Sequence, residues 1–323
     1  MMRSLNALAR RPSFTSLVTL GLLALLMLAG GAVYPGFLSV QVVGNLLIDN
    51  AYLLVIAIGM TFVILSGGID LSVGSVLALS TIVCAWLLQV AHWPPLAAIA
   101  CVLLLGAAFG GAMGALIHYV KLQPFIVTLA GMFLARGLCY LVSIDAITID
   151  DPLFVAMSRT QLPIFGGFVS PGAAIALAVL MLAAWVAHYS AFGRALYAIG
   201  GNEQSALMMG VAVARTKVLV YAFSGLCASL GGVLFAFYML SGYALHAQGA
   251  ELDAIAAVVI GGTLLAGGYG YVAGALSGVL VLGAIQTLIA FDGTLSSWWT
   301  KIVIGALLLA FCLVQRVLAA DKK

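Results

Sequence analysis

Long apolar runs separated by short polar segments form the main pattern of this chain. Each run approaches the roughly 20 residues that an α-helix needs to cross a bilayer, although the eighth is shorter and contains glycine. The pattern therefore predicts about ten transmembrane helices joined by short loops. The runs are Phe14–Val33, Asn45–Leu65, Leu71–Val90, Leu96–His118, Phe125–Val142, Gly172–His188, Val218–Met239, Ala254–Ala266, Val272–Ala290 and Trp298–Val314.

The composition restricts the fold to a membrane protein. Hydrophobic residues make up 64% and charged residues 7% of the 323 positions, against roughly 25% charged in a soluble domain. A soluble core of this size could not bury so much apolar surface. We therefore expect an all-α, polytopic helical membrane protein with a single transmembrane domain over residues 1–323, whose first apolar run is an uncleaved helix. The five cysteines lie singly in apolar runs and indicate neither a disulfide framework nor a metal site.

Lysine and arginine are concentrated in alternate loops, and this bias predicts the orientation. With the amino terminus inside and ten spans, the inside segments hold ten of the thirteen basic residues. Both termini are therefore expected in the cytoplasm, with a long cytoplasmic loop at about 189–217 and a long external loop at about 143–170. The ten inside residues are Arg3, Arg10, Arg11, Lys121, Arg194, Arg215, Lys217, Arg316, Lys322 and Lys323.

The segment from Ile64 to Ser75 places the carboxylate of Asp70 and three glycines between two apolar runs. A charged carboxylate at the centre of a bilayer costs roughly 2.5–3.5 kcal/mol on insertion scales. Broken helices at membrane depth are tolerated only where the backbone is buried in protein or lines a wet cavity. Asp70 therefore marks either a polar pathway through the bundle or the turn between two spans.

Other polar side chains lie within the apolar runs. Arg136 lies deep in the fifth run and needs a partner, and Asp70 and Asp49 are the available acids. We expect a structural ion pair, for which Asp70 and Arg136 are the candidates, and a direct contact of Arg136 with the ligand is the alternative. The sparsely polar set suits a neutral polyhydroxylated solute better than an ion relay, which would need a chain of titratable groups. The candidate pathway residues are Asn45, Asp49, Asn50, Thr61, Ser66, Asp70, Thr128 and Gln286.

A weak internal repeat links the two halves of the chain. The pattern of two glycines, five residues and a third glycine begins at Gly67 and again at Gly267. Paired glycine-interrupted apolar segments are a sequence pointer to the binding region of a transporter. Glycine richness alone could also produce the match, and ten spans would make both copies run in the same direction.

The cytoplasmic loop contains a predicted short helix. Asn202 has the side chain of a helix N-cap, and Gly210 has the conformational freedom of a C-terminal cap. Between them lie Leu207, Met208 and Met209, an apolar patch that is unusual for a solvated loop. A cytoplasmic partner that accepts this helix would explain the patch, and packing within the chain is the alternative.

The motifs of several enzyme classes are missing from the sequence. No lysine follows a glycine or precedes serine or threonine, as a nucleotide-binding P-loop requires. There is no zinc-protease motif, no nucleophile elbow and no cluster of histidines. We therefore expect no catalytic residue, no metal, no cofactor and no nucleic-acid partner for this chain, so that any ATP hydrolysis occurs on another subunit.

Three segments together resemble one family, the membrane permeases of bacterial ABC sugar importers of the ribose, xylose and arabinose type. The sequences are Gly59-Met-Thr-x4-Ser-Gly-Gly-Ile-Asp-Leu-Ser-Val-Gly-Ser75, Gly193-Arg-Ala-Leu-Tyr-Ala-Ile-Gly-Gly-Asn202 and Glu251-Leu-Asp-Ala-Ile-Ala-Ala-Val-Val-Ile-Gly-Gly-Thr263. Within the family, residues 45–75 and 291–301 look most like one of the two permeases of a galactofuranose importer.

The resemblance implies a function and a set of partners. Such permeases pair in the inner membrane, bind cytoplasmic ABC ATPases that carry ATP and Mg²⁺, and receive sugar from a periplasmic sugar-binding protein. The sugar crosses by alternating access, and here the partner permease would be a different chain. The residues implied to couple to the ATPase are Arg194, Tyr197, Gly200, Gly201, Asn202, Glu203, Leu207, Met208 and Gly210.

A gradient-driven secondary sugar transporter is the alternative from another class. In that case Asp70 and Asp49 would be the coupling carboxylates, and transport would need no ATP. The long cytoplasmic loop would then have no obvious role.

Overall fold

The computed structural model describes residues 14–164, 166–296 and 298–320, and this part of the chain forms fourteen α-helices and four short strands. The helices are α1 (Phe14–Val33), α2 (Val40–Asp49), α3 (Ala51–Leu65), α4 (Val73–Gln89), α5 (Pro95–Tyr119), α6 (Pro124–Val142), α7 (Pro152–Arg159), α8 (Pro171–Tyr189), α9 (Ala191–Gly201), α10 (Glu203–Met208), α11 (Val213–Met239), α12 (Ala250–Ile260), α13 (Gly274–Asp292) and α14 (Trp298–Ala320). The strands are β1 (Ile147–Thr148), β2 (Leu162–Ile164), β3 (Gly167–Val169) and β4 (Ser241–Gly242).

Most of the predicted apolar runs coincide with a helix, often to within one or two residues. Proline at the first helical position begins α5, α6 and α8, at Pro95, Pro124 and Pro171. A proline there loses no helical hydrogen bond, because the first amides of a helix have no partner in any case. Helical structure dominates the described chain, as expected for this class.

Two predicted spans differ from the structure. The run Asn45–Leu65 is broken at Asn50, where α2 and α3 meet at 57° and the Asn50 amide group donates a 3.0 Å bond to the Leu46 carbonyl. The run Ala254–Ala266 ends its helix at Ile260, because Gly262 has a φ of 98° and opens a long turn. Glycine adopts this left-handed region without the steric penalty that other residues meet.

The number of membrane spans and their orientation remain predictions. Within the described residues, five helices are long and apolar enough to cross a bilayer, and the bent α2–α3 pair makes a sixth. The apolar stretches described in α1, α4 and α14 are shorter, at Leu17–Val33, Val73–Gln89 and Trp298–Leu313. Both chain termini, with the basic residues at 3, 10, 11, 322 and 323, lie outside the described residues.

Successive long helices run antiparallel, so the bundle has two ends. At one end β1 pairs with β4 in an antiparallel ladder, and we call this the strand end. At the other end lies α9, and we call this the α9 end. The segment 143–170 lies at the strand end and is folded, because it contains α7 and the β2–β3 hairpin.

The helix α11 lies at the centre of the bundle, in contact with α3, α4 and α5. Glycines make its approach to α5 close, since a Cβ on Gly106 would overlap the backbone of Gly225 and one on Gly114 would lie 3.0 Å from Val218. Small residues at such contacts are typical of membrane helices, which associate mainly by close packing. This packing fixes the frame on which the turns at the α9 end are held.

Candidate functional site

The two glycine-rich turns of the internal repeat lie against each other at the α9 end. Gly67 and Gly267 have φ values of 79° and 85°, and a Cβ on Gly267 would lie 2.8 Å from the Gly67 Cα. Beside them the Gly268 amide donates a 3.0 Å hydrogen bond to the Leu65 carbonyl. The turn between α3 and α4 therefore contacts the turn between α12 and α13 directly through backbone atoms.

The helix α9 completes this contact from the outside of the bundle. A Cβ on Gly200 would overlap the Leu65 carbonyl oxygen and lie 2.5 Å from the Gly268 nitrogen. The Tyr197 hydroxyl donates a 2.8 Å hydrogen bond to the Gly270 carbonyl. We call residues 65–68, 197–200 and 267–270 the glycine junction. Backbone atoms of three segments are in close contact there, so α9 packs directly against both turns.

The short helix α10 follows α9 as the sequence predicted. The Asn202 side chain accepts a 2.8 Å hydrogen bond from the Ser205 amide, and Gly210 has a φ of 80° just after the helix. Glu203 forms a 2.7 Å ion pair with Lys217 of α11, which anchors the start of α10 to the bundle.

The outer face of this segment is available to a partner. Leu207 and Met208 are 63% and 88% exposed, so packing within the described chain does not cover the apolar patch. Arg194 and Gly201 are exposed as well, and a Cβ on Gly201 would meet no atom within 4 Å. The predicted coupling residues thus divide into an inner set that forms the junction and an outer set that forms a surface.

Asp70 lies in the turn between α3 and α4 and is completely buried. Its Oδ1 accepts hydrogen bonds from the Ser72 amide at 3.0 Å and the Ser72 hydroxyl at 2.7 Å. Its Oδ2 accepts one from the Ser224 hydroxyl of α11 at 2.7 Å. Of the two roles open to Asp70 from the sequence, this geometry is that of the turn, since these bonds join the turn to the central helix.

The ion pair expected between Asp70 and Arg136 does not form in the described part of the chain. The Arg136 guanidinium donates instead to the carbonyls of Ala244 and His246, at 2.5 and 2.9 Å. The physical reason is the length of α6. Thr128 of this helix lies at the level of Ile69, and eight further residues carry Arg136 about 12 Å toward the strand end.

The loop before α12 is held by this arginine. Burial lowers the pKa of His246, and the nearby Arg136 charge lowers it further. One oxygen of the neighbouring Glu251 carboxylate is buried against Gly74 with no hydrogen-bond partner among the described residues. Burial raises the pKa of the Glu251 carboxyl, and the nearby Arg136 charge opposes part of this rise, so the arginine serves the loop rather than the turn at the α9 end.

The eight candidate pathway residues do not line one channel in this conformation. Five of them are buried, and four of these donate to a carbonyl three or four residues back: Asn50 to Leu46, Thr61 to Ala57, Ser66 to Val63 and Thr128 to Pro124. Such backbonding is a common way for short polar side chains to be satisfied within helices. The buried set is Asn50, Thr61, Ser66, Asp70 and Thr128.

The other three candidates are accessible. Asn45 accepts a 2.8 Å hydrogen bond from Gln41, and Asp49 accepts a 3.1 Å bond from the Tyr238 hydroxyl. Gln286 lines a cavity of about 450 Å³ between α13 and α14. The accessible polar groups therefore lie toward the strand end.

Several contacts of the candidate site residues have no signal in the sequence. Ser224 lies within an apolar stretch of α11, 154 positions from Asp70, and only the fold brings the two together. The contact between Tyr197 and Gly270 likewise spans 73 positions. The pairing of the two glycine turns was the exception, because their repeated spacing indicated a shared role.

Comparison with known proteins gives consistent matches over nearly the whole chain. Residues 42–312 match the family described as the permease component of branched-chain amino acid transport systems. The chain is 50% identical over 301 residues to the inner membrane ABC transporter permease protein YjfF of Escherichia coli K12, covering 93% of this chain and 91% of the relative.

Two further relatives are named as sugar permeases. The ribose import permease protein RbsC of the same strain is 37% identical over 303 residues, which cover 91% of this chain and 92% of the relative. The xylose transport system permease protein XylH is 34% identical over 84% of both chains. No solved structure gives a significant match.

Proposed function

This chain belongs to the family of transport-system permease components that matches residues 42–312, and we propose that it forms part of an ABC importer for the monosaccharide galactofuranose. The family match and the relatives establish that the chain is an inner-membrane, multi-pass permease component of an ABC sugar transport system. The identity of the sugar and the workings of the assembly are proposed.

The choice of galactofuranose rests on the resemblance of residues 45–75 and 291–301 to a permease of that importer. The relative YjfF carries no sugar in its name, whereas RbsC and XylH are named for ribose and xylose. A neutral sugar also suits the accessible polar groups, which are few and mostly uncharged. An ion relay would require a chain of titratable side chains.

The observation that carries the mechanism is the contact of α9 with both glycine-rich turns. A cytoplasmic ABC ATPase docks on the exposed face of α9 and α10, where it covers Leu207 and Met208. ATP binding moves α9, and Gly200 transmits the movement to the α3–α4 and α12–α13 hairpins. Alternating access follows, because these hairpins run through the bundle from the α9 end to the strand end.

The remaining partners follow from this orientation. With ten spans and both termini in the cytoplasm, the α9 end faces the cytoplasm and the strand end faces the periplasm. A periplasmic sugar-binding protein then docks on the folded segment 143–170, and a second, different permease completes the pathway. ATP and Mg²⁺ are bound by the ATPase, and this chain takes no part in hydrolysis.

The gradient-driven alternative is not favoured. A coupling carboxylate must exchange protons or ions with water during transport. Asp70 is completely buried with three hydrogen bonds to serines, and Asp49 is held by Tyr238. Neither group connects the two ends of the bundle.

The test is ATP hydrolysis by the permease reconstituted with its co-encoded ATPase, sister permease and binding protein, across a panel of sugars. We expect galactofuranose to stimulate hydrolysis above ribose, xylose and galactopyranose. Stimulation by another sugar would retain the ABC mechanism and overturn the substrate. Uptake that follows a proton or sodium gradient without ATP would overturn the mechanism.

A further inference from the structure

The cavity between α13 and α14 has the composition of a sugar site. It encloses about 450 Å³, within the range of small-molecule sites in proteins, and it lies at the strand end. Gln286 and Thr300 contribute an amide and a hydroxyl for which the hydrogen bonds among the described residues provide no partner. Ile289 and Leu295 supply apolar surface of the kind that packs on the carbon face of a sugar ring. The lining is Gln286, Ile289, Ala290, Gly293, Leu295, Thr300 and Lys301.

Lys301 lines this cavity and forms an ion pair with Asp253, which lies outside the lining. The Lys301 ammonium contacts both carboxylate oxygens of Asp253, at 2.6 and 2.8 Å. Asp253 lies in the first turn of α12, where the helix dipole favours a negative charge. The Lys301 side chain is 50% exposed, and an ammonium has three N–H donors, so the pair retains hydrogen-bonding capacity toward the cavity.

The polar groups of the cavity favour water over lipid as its content. Gln286 lies six residues before the end of α13, and Lys301 lies within the first turn of α14. Uncovered amide and ammonium groups on membrane-embedded helices are costly in hydrocarbon, and such groups almost always face the bundle interior or a water-filled cavity. A site that takes a polar ligand accounts for these groups better than a surface covered by acyl chains.

We infer that this cavity is the sugar subsite at the strand-end entrance, with Gln286, Thr300 and Lys301 binding the hydroxyl groups while Asp253 holds Lys301 in place. The inference rests on the proposed function, since it names the residues that receive the transported sugar. Each sugar hydroxyl both donates and accepts, and the site offers both kinds of partner. The amide oxygen of Gln286 and the hydroxyl oxygen of Thr300 accept, while the amide nitrogen and the ammonium donate.

The test uses the reconstituted importer with saturating loaded binding protein. Gln286→Ala should lower the rate of sugar uptake by about three- to tenfold, the effect of losing one or two neutral hydrogen bonds. Gln89→Ala is the matched control, because Gln89 ends α4 at the same end of the bundle and does not line the cavity. Equal uptake by the two variants at equal assembly would overturn the assignment.

A second variant keeps the inference testable if Gln286→Ala does not assemble. Thr300→Cys should react with a membrane-impermeant maleimide, and loaded binding protein should slow the reaction more than empty binding protein does. His92→Cys, in the exposed turn after α4 and outside both the cavity and segment 143–170, should show no such difference. Absence of labelling, or equal labelling in both states, would overturn the inference. If the wild-type importer shows no response to any sugar, the proposed function fails instead.

Discussion

The backbone amide of Gly268 donates a hydrogen bond to the carbonyl oxygen of Leu65, and this 3.0 Å contact joins turns that belong to opposite halves of the chain. Gly267 lies against Gly67 beside it. Because only backbone atoms meet at this point, no flexible side chain can absorb a relative movement. The two helical hairpins are therefore expected to move together.

The first prediction concerns the packing of these turns. Gly267→Ala should lower the free energy of unfolding by about 1–3 kcal/mol through overpacking, in addition to the backbone penalty at a φ of 85°. Gly36→Ala is the control, since Gly36 has a φ of 84° and open space around it. The thermal midpoint of the detergent-solubilised protein measures both. Equal losses would show that the contact with Gly67 contributes nothing.

The second prediction concerns the Asp70 turn. Ser224→Ala removes a 2.7 Å hydrogen bond to a buried carboxylate, and bonds to charged groups are worth about 1.5–3 kcal/mol. Ser229→Ala, one turn farther along α11, removes a hydroxyl that bonds only to carbonyls of its own helix. The free energy of unfolding should fall further in Ser224→Ala than in Ser229→Ala. A larger loss for Ser229→Ala would mean that Asp70 does not depend on α11.

The third prediction concerns the loop before α12. Arg136→Gln removes the guanidinium that holds the Ala244 and His246 carbonyls. Amide hydrogen exchange over residues 243–249 should become about tenfold faster or more, as expected from the loss of one charge-assisted hydrogen bond. Arg159→Gln, at an exposed position, should leave exchange in this loop unchanged. Unchanged amide hydrogen exchange in Arg136→Gln would show that this arginine does not hold the loop before α12.

The local features of the fold could be predicted from the sequence. Apolar run length identified the helices, and the runs predicted to begin at Phe125 and Gly172 came within one residue of the start of α6 and α8. The cap at Asn202 was also predicted, because its side chain bonds an amide three residues ahead. Such features depend on neighbours in the chain, which the sequence displays directly.

The partners of the buried polar groups could not be predicted. Asp70 bonds to Ser224 and Arg136 bonds to backbone carbonyls, whereas charge complementarity alone suggested that the two would pair. A backbone carbonyl is present at every residue, so no pattern marks the one that an arginine will use. The break at Asn50 was hidden for a related reason, since no glycine or proline accompanies it.

The most direct test of the account compares Gly200→Ala with Gly201→Ala in the reconstituted importer. A Cβ at position 200 overlaps the Leu65 carbonyl, whereas a Cβ at the adjacent position meets no atom within 4 Å. The measurement is sugar uptake and ATP hydrolysis in the same vesicles. If α9 drives the two turns through the glycine junction, Gly200→Ala will lower the sugar transported per ATP while Gly201→Ala matches the wild type. An unchanged ratio in assembled Gly200→Ala would contradict transmission through this junction.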